Sequence, residues 1–275
     1  AVMVENVGMA KTLLDRQITP DSEKLAADPA LIIGEVVSGN VELVKLLLER
    51  GASPHVSIND VGVSALWQAV ISNDTEIVAL LLEKGANPDA SDARRGSALW
   101  LAAEAGNTEI AILLLKHGAN PELSNPWNDG TALVFGVERG QTEMVRALVE
   151  RGAIRILHTE RSMFEGPWVA ESKATELGHE AILEILLKNG GDPNGASAPT
   201  LLHDAVNRGH TGVVRVLAEN GADLKIEDKE TDATALMIAV NKGSGPMTKV
   251  LLENGADPNS EGLEGDTVLI EASQA

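Results

Sequence analysis

Cysteine is absent from the 275-residue chain, so no disulfide framework and no thiolate chemistry are available. Tyrosine is absent too, and the aromatics are two Phe and four Trp, so the core has to be built from aliphatic side chains. Positive charge is scarce: 22 Lys and Arg stand against 41 Asp and Glu, a net charge of −19. The imbalance is evenly spread, with nine basic against eighteen acidic residues in 1–137 and thirteen against twenty-three in 138–275. An acidic surface repels nucleic-acid phosphates and anionic lipid heads, which argues against both as partners. The uncharged stretch Val61 to Asn73 is too short and polar to span a bilayer. Glu5 stands where a secretion signal needs basic and then apolar residues, which favours an intracellular, cytoplasmic location.

What is present is a period. An apolar triplet, two polar residues and Gly recur at Leu46–Gly51, Leu80–Gly85, Leu113–Gly118 and Ala147–Gly152. The phrase returns at Ile185–Gly190, Val216–Gly221 and Val250–Gly255. The closing glycines are 34, 33, 34, 38, 31 and 34 residues apart. Such a period is the mark of a stacked repeat. Within one unit, Thr131-Ala132-Leu133 opens a short helix that Gly140 ends, since Gly adopts the left-handed conformation readily. A second helix follows from about Thr142 to Glu150, with Met144, Val145, Leu148 and Val149 on one face, and Gly152 closes it. An Asn/Asp/Pro/Gly-rich segment leads to the next unit. Neither helix is long enough to stand alone, so stacking has to supply the stability.

These phrases resemble the ankyrin repeat family. Its Thr-Pro-Leu-His-x-Ala phrase is matched best by Thr200–Ala205, and more loosely by Ser64–Ala69, Ser97–Ala102 and Thr234–Ala239. Its Gly-Ala-Asp-x-Asn turn reads Gly255–Asn259, and its inter-helix Gly-His reads Gly178-His179 and Gly209-His210. The resemblance implies an all-α ankyrin-repeat solenoid of helix-turn-helix units with projecting hairpin fingers. It places one array over residues 1–275: a degenerate N-terminal repeat in 1–29, seven repeats in 30–266 and a partial repeat in 267–275. Trp67 and Trp100 fall where the family has His and are read as packing residues that alter helix spacing; His203, His179 and His210 are read as structural.

The period breaks in one place. The 38-residue step carries a longer finger, Ile154 to Pro167, with a local excess of Arg, and the 31-residue step after it carries a truncated one. A long finger beside a short one leaves a notch in the rim. In the helix between them Glu171 falls on the usual core Leu, unless the alignment slips by one.

The resemblance implies a non-enzymatic scaffold that binds a protein partner, one with basic contact residues, through a concave face of first helices and fingers. Carried over unit by unit, the family's variable positions fall on Val37, Ile71, Leu101, Phe135, Arg139, Arg208 and Lys242. Finger residues Arg94, Arg95, Trp127, Arg155, Arg161 and Phe164 complete the candidate contact set, since aromatic and Arg side chains dominate binding hot spots. The rival readings are an enzyme or substrate-recruiting segment using the finger 154–167, a small-ligand or peptide receptor at the notch, and an architectural spacer.

Catalytic and cofactor motifs are missing: no phosphate-binding Gly loop, no His-Glu-x-x-His and no Gly-x-Ser-x-Gly. No catalytic residue, cofactor or metal is expected. Asp257, Asn259 and Glu261 imitate a calcium loop, but its twelfth position is Val268 where a bidentate Glu is needed. Asn73-Asp74-Thr75 matches a glycosylation triplet within an inter-helix turn.

Overall fold

The computed structural model describes residues 29–55, 57–58, 63–92, 96–123, 131–153, 169–195, 200–229, 231–260 and 267–268. The long finger, residues 196–199 of the short one, and nearly all of both terminal segments lie outside these residues, and with them the expected notch. Fourteen helices occur among the described residues, in seven pairs. They are α1 (Pro29–Val37) and α2 (Val41–Glu49), α3 (Ala65–Ile71) and α4 (Thr75–Glu83), α5 (Ala98–Ala105) and α6 (Thr108–Lys116), and α7 (Ala132–Glu138) and α8 (Thr142–Glu150). The remaining pairs are α9 (Val169–Leu177) and α10 (Glu180–Lys188), α11 (Leu201–Arg208) and α12 (Thr211–Glu219), and α13 (Ala235–Asn241) and α14 (Gly245–Glu253). Two antiparallel hairpins, β1 (Ser57–Ile58) with β2 (Val63–Ser64) and β3 (Ser91–Asp92) with β4 (Gly96–Ser97), form fingers. A bridge between Glu227 and Thr234 marks a further one.

The chain divides into two compact units, residues 1–135 and 136–275. In unit 1 the first helices α1, α3 and α5 pack in succession, and the second helices α2, α4 and α6 do the same. In unit 2 the successions are α9, α11, α13 and α8, α10, α12, α14. The opening alanines Ala65, Ala98 and Ala235 are buried, as close helix approach demands. The triplets of the second helices supply the aliphatic core, with Leu81, Leu114, Leu148, Leu186, Leu217 and Leu251 all fully buried.

The Ser or Thr that opens each family phrase is an N-cap. Ser64 Oγ accepts from the Trp67 amide, Ser97 Oγ from Trp100, and Thr234 Oγ1 from Met237. This satisfies an amide that the first turn would otherwise orphan. The second helices differ between units. In unit 1, Asn40, Asp74 and Asn107 cap by side-chain hydrogen bonds to Leu43, Ile77 and Ile110. In unit 2, Gln141, His179, His210 and Ser244 make no such bond. Instead the His179 ring lies against Gly140 and the His210 ring against Gly178, each the glycine that ends the first helix of the preceding repeat. His210 also bonds the Glu176 carbonyl through Nε2 at 3.1 Å.

Glu171 is 2% exposed, so the register of α9 holds and the carboxylate occupies the core slot itself. Its Oε1 reaches Gly191, where a Cβ would stand only 2.7 Å away. Thr175, one turn on, is fully buried as well. The helix that follows the long finger therefore carries two polar residues, one of them a carboxylate, on its core face.

The Asn and Asp residues of the turns hold the turns together. Asp257 Oδ1 accepts from the Asn259 amide at 2.9 Å, the pattern Asn87, Asn120, Asp192 and Asp223 repeat in their own turns. Adjacent turns are then tied by Asn120 N to Asp89 Oδ1 and by Asp223 N to Asn194 Oδ1, each at 2.7 Å. The calcium-like spacing is thus a turn ladder. The Asn73-Asp74-Thr75 triplet is equally structural: Asn73, at φ 57°, accepts from the Asn107 side chain, and Asp74 caps α4.

Candidate functional site

First helices bury one face and leave the other to solvent. The residues carried over from the family lie on that second face. Val37 is 58% exposed at the end of α1, and Ile71 is 40% exposed at the end of α3. They are the same position in consecutive repeats. Exposed apolar residues this large are uncommon here: Leu177 and Leu252 are the only others among the described residues. Leu101 on α5 and Phe135 on α7 are half-buried. Phe135 meets the buried Trp100 edge to face, with ring centroids 5.3 Å apart and planes at 84°. That contact fixes the Phe135 ring while leaving part of it open.

Arg139, Arg208 and Lys242 are exposed at the ends of α7, α11 and α13. Their surroundings differ. Arg208 Nε lies 2.8 Å and 3.0 Å from the two carboxylate oxygens of Asp204, and its guanidinium stands 3.8 Å from Glu176 in the preceding repeat. Lys173 Nζ is 3.0 Å from the same Glu176. Lys173, by hydrogen bond and charge, holds the Glu176 carboxyl below its ordinary range, with Arg208 adding to the effect. The carboxylate of Asp204 in turn favours the charged form of Arg208. Arg208 is therefore already engaged. The signal for this was in the sequence, since Asp204 precedes Arg208 by the four residues that bring helical side chains together. For Arg139 and Lys242 no carboxylate of a described residue lies within ion-pair distance.

Arg94, Arg95, Trp127, Arg155, Arg161 and Phe164 lie outside the described residues. A cavity of about 310 Å³ opens at the base of the fingers in unit 1, lined by Pro54, His55, Leu66, Asn87 and Asp89 among others. No sequence signal had marked it. Among the described residues no group of three His, Cys, Asp or Glu side chains is arranged to hold a metal ion. No helix among them is long and apolar enough to cross a membrane.

The architecture is that of a helix-turn-helix repeat protein whose solvent-facing first-helix positions vary from unit to unit. The family model for ankyrin repeats in three copies matches residues 1–92, 86–159 and 172–262, and the chain belongs to that family. An ankyrin repeat-containing protein of Treponema pallidum (strain Nichols) is 39% identical over 100 residues, 35% of this chain and 32% of that protein. Cyclin-dependent kinase inhibitor 2A of Homo sapiens is 33% identical over 99 residues, 35% of this chain and 60% of that protein. The matched segment thus spans less than two thirds of either relative. Among solved structures, an ankyrin repeat domain from Acinetobacter baumannii AYE aligns with a TM-score of 0.57 and 27% identity, over 71% of this chain and 100% of that one. The human ASB11 ankyrin repeat domain aligns with a TM-score of 0.57 and 22% identity, over 82% of this chain and 98% of that one, a likeness of fold. Ankyrin repeats are in general protein–protein interaction modules.

Proposed function

We propose that the chain is a non-enzymatic recognition scaffold for a protein partner with basic contact residues, engaged through the open face of the first helices and the fingers. The observation that carries this reading is the pair Val37 and Ile71, large apolar residues left in water at equivalent positions of successive repeats. Apolar side chains exposed together in adjacent repeats mark an interaction surface, as singly scattered ones do not. Helices fixed by caps and by inter-repeat bonds present that row with little conformational entropy left to lose on binding. The net charge of −19 steers a basic partner toward the scaffold. In this reading Arg94, Arg95 and Trp127 border the face of unit 1, and Arg139, Arg208 and Lys242, with Arg155, Arg161 and Phe164, belong to that of unit 2.

The test is affinity capture from native lysate with the full chain as bait, beside a variant with Arg139, Arg208 and Lys242 reversed to Glu. A partner rich in Lys and Arg, whose association slows as salt is raised, is expected. Capture of no protein, or turnover of a bound one by the chain, would reject the scaffold reading.

A further inference from the structure

We infer that unit 1 carries a self-contained docking surface on α1, α3 and α5, and that its occupant is a partner polypeptide segment with apolar side chains about 10 Å apart and Lys or Arg beside them. The inference rests on the scaffold reading above and narrows it to one unit and one partner chemistry.

Three observations converge. The first is apolar. Val37 and Ile71 end consecutive first helices, and both are exposed. Ala105, also exposed, ends the third, and half-buried Leu101 lies one turn before it. Gly34, one turn before Val37, faces open space: a Cβ there would meet nothing within 4 Å. The row is thus flanked by small residues that let a backbone approach.

The second is electrostatic. α1, α3 and α5 contain no Lys, Arg or His at all, and they carry Glu35 and Glu104. None of the three has a basic residue in its last turn. The negative ends of three helix dipoles therefore open beside the apolar row without a cation of their own helices to balance them. Glu104, exposed, takes in the third repeat the position that Val37 and Ile71 hold in the first two. The first helices of unit 2 contrast with this. There Lys173 and Arg208 are matched by Glu176 and Asp204 within the same face. Those two cations are balanced within the face, and Lys242 at the end of α13 adds a positive charge that no described carboxylate pairs.

The third is metric. α1 packs on α3 and α3 on α5, and packed helices lie about 8–10 Å apart. Equivalent side chains in successive repeats are offset by about that distance. Residues i and i+7 of a helix are separated by roughly 10.5 Å along its axis, and residues i and i+3 of a polyproline II segment, which share one face, by roughly 9 Å. Either register brings one apolar side chain onto Val37 and another onto Ile71, with intervening basic residues near Glu104 and the helix ends.

The experiment selects a random peptide library displayed on phage against the full chain, then measures the enriched peptides by fluorescence anisotropy on wild type, Val37→Glu, Ile71→Glu, Glu104→Lys and, as a control on the second helix α14, Lys249→Glu. Val37, Ile71 and Glu104 are exposed, so these variants keep the fold, which circular dichroism checks. Enriched sequences with Lys or Arg around apolar pairs at i, i+7 or i, i+3 are expected, with affinity lost about tenfold or more on the three unit 1 variants and unchanged by Lys249→Glu. Acidic or uncharged enriched sequences, no enrichment, or binding indifferent to Ile71→Glu would overturn the inference. A lysate partner whose binding survives Val37→Glu and Ile71→Glu but not reversal at Arg139 and Lys242 would overturn it while leaving the scaffold reading standing.

Discussion

The indole Nε1 of Trp67 donates to the carbonyl of Gly96, 3.2 Å away and 29 residues on, in the next repeat. In unit 2 the Nε2 of His203, at the equivalent position, meets the carbonyl of Ala233 at the same 3.2 Å, 30 residues on. Trp67 fills the core at 2% exposure and also makes the bond that ties one repeat to the next finger. Sequence reasoning foresaw the packing and missed the bond. Trp67→Leu is expected to lose about 3–5 kcal/mol, because it leaves a cavity and strips the Gly96 carbonyl of its donor. Trp67→His is expected to lose less, since imidazole restores a donor in that direction. Urea unfolding of the three proteins gives the order, and an equal loss in both variants would show the bond to be idle.

His203 makes the stability of unit 2 depend on pH. Burial pushes its pKa below the ordinary value, against the opposing pull of the Ala233 carbonyl bond and the Asp228 charge. The neutral ring fits its neighbours: Nε2–H donates to Ala233, so Nδ1 accepts from the Thr200 hydroxyl at 2.7 Å. The unfolded chain, with an imidazole pKa of about 6.5, binds the proton more readily than the folded one. Full stability is therefore expected above about pH 6.5, with loss as the pH falls through the lowered folded-state value. Urea midpoints from pH 8 to pH 5 are expected to fall more steeply for wild type than for His203→Gln. Parallel curves would place the titration elsewhere.

Gly178 and His210 are coupled. Gly178 has φ 73°, and a Cβ there would stand 2.9 Å from His210 Nδ1. Gly178→Ala thus meets two costs, left-handed strain of about 1–2 kcal/mol and displacement of the ring. In a His210→Ala background only the first remains. A double-mutant cycle is expected to show a favourable coupling between the two substitutions, and strict additivity would mean the ring does not hold the repeats in register.

What could be read in the sequence was whatever a residue does within its own repeat. Gly140 and Gly152 end helices, Ser97 and Thr200 start them, and the triplets bury themselves, all through neighbours a few positions away. What escaped was contact across repeats. The reach of Trp67 to Gly96, the His210 ring on Gly178 and the second carboxylate at Arg208 link residues about thirty positions apart. Periodicity predicts that such pairs meet but does not say by which atoms. Glu171 was placed on the core slot with a one-residue slip left open, for another reason. A carboxylate in a core slot runs against the burial rule, and only the room left by Gly191 makes it fit.

The triplet Leu80-Leu81-Leu82 separates local packing from stacking. Leu81 is fully buried in α4, which packs on both α2 and α6, and Leu80 is only half-buried. Leu81→Ala is expected to cost about 2–5 kcal/mol and Leu80→Ala clearly less. A repeat without its neighbours has no core of its own, so the Leu81 cavity weakens two interfaces at once. Amide hydrogen exchange in Leu81→Ala is expected to accelerate together in α3, α4, α5 and α6. Acceleration confined to α4 would mean that the repeats of unit 1 open one at a time, and that Val37 and Ile71 are not held in a common surface.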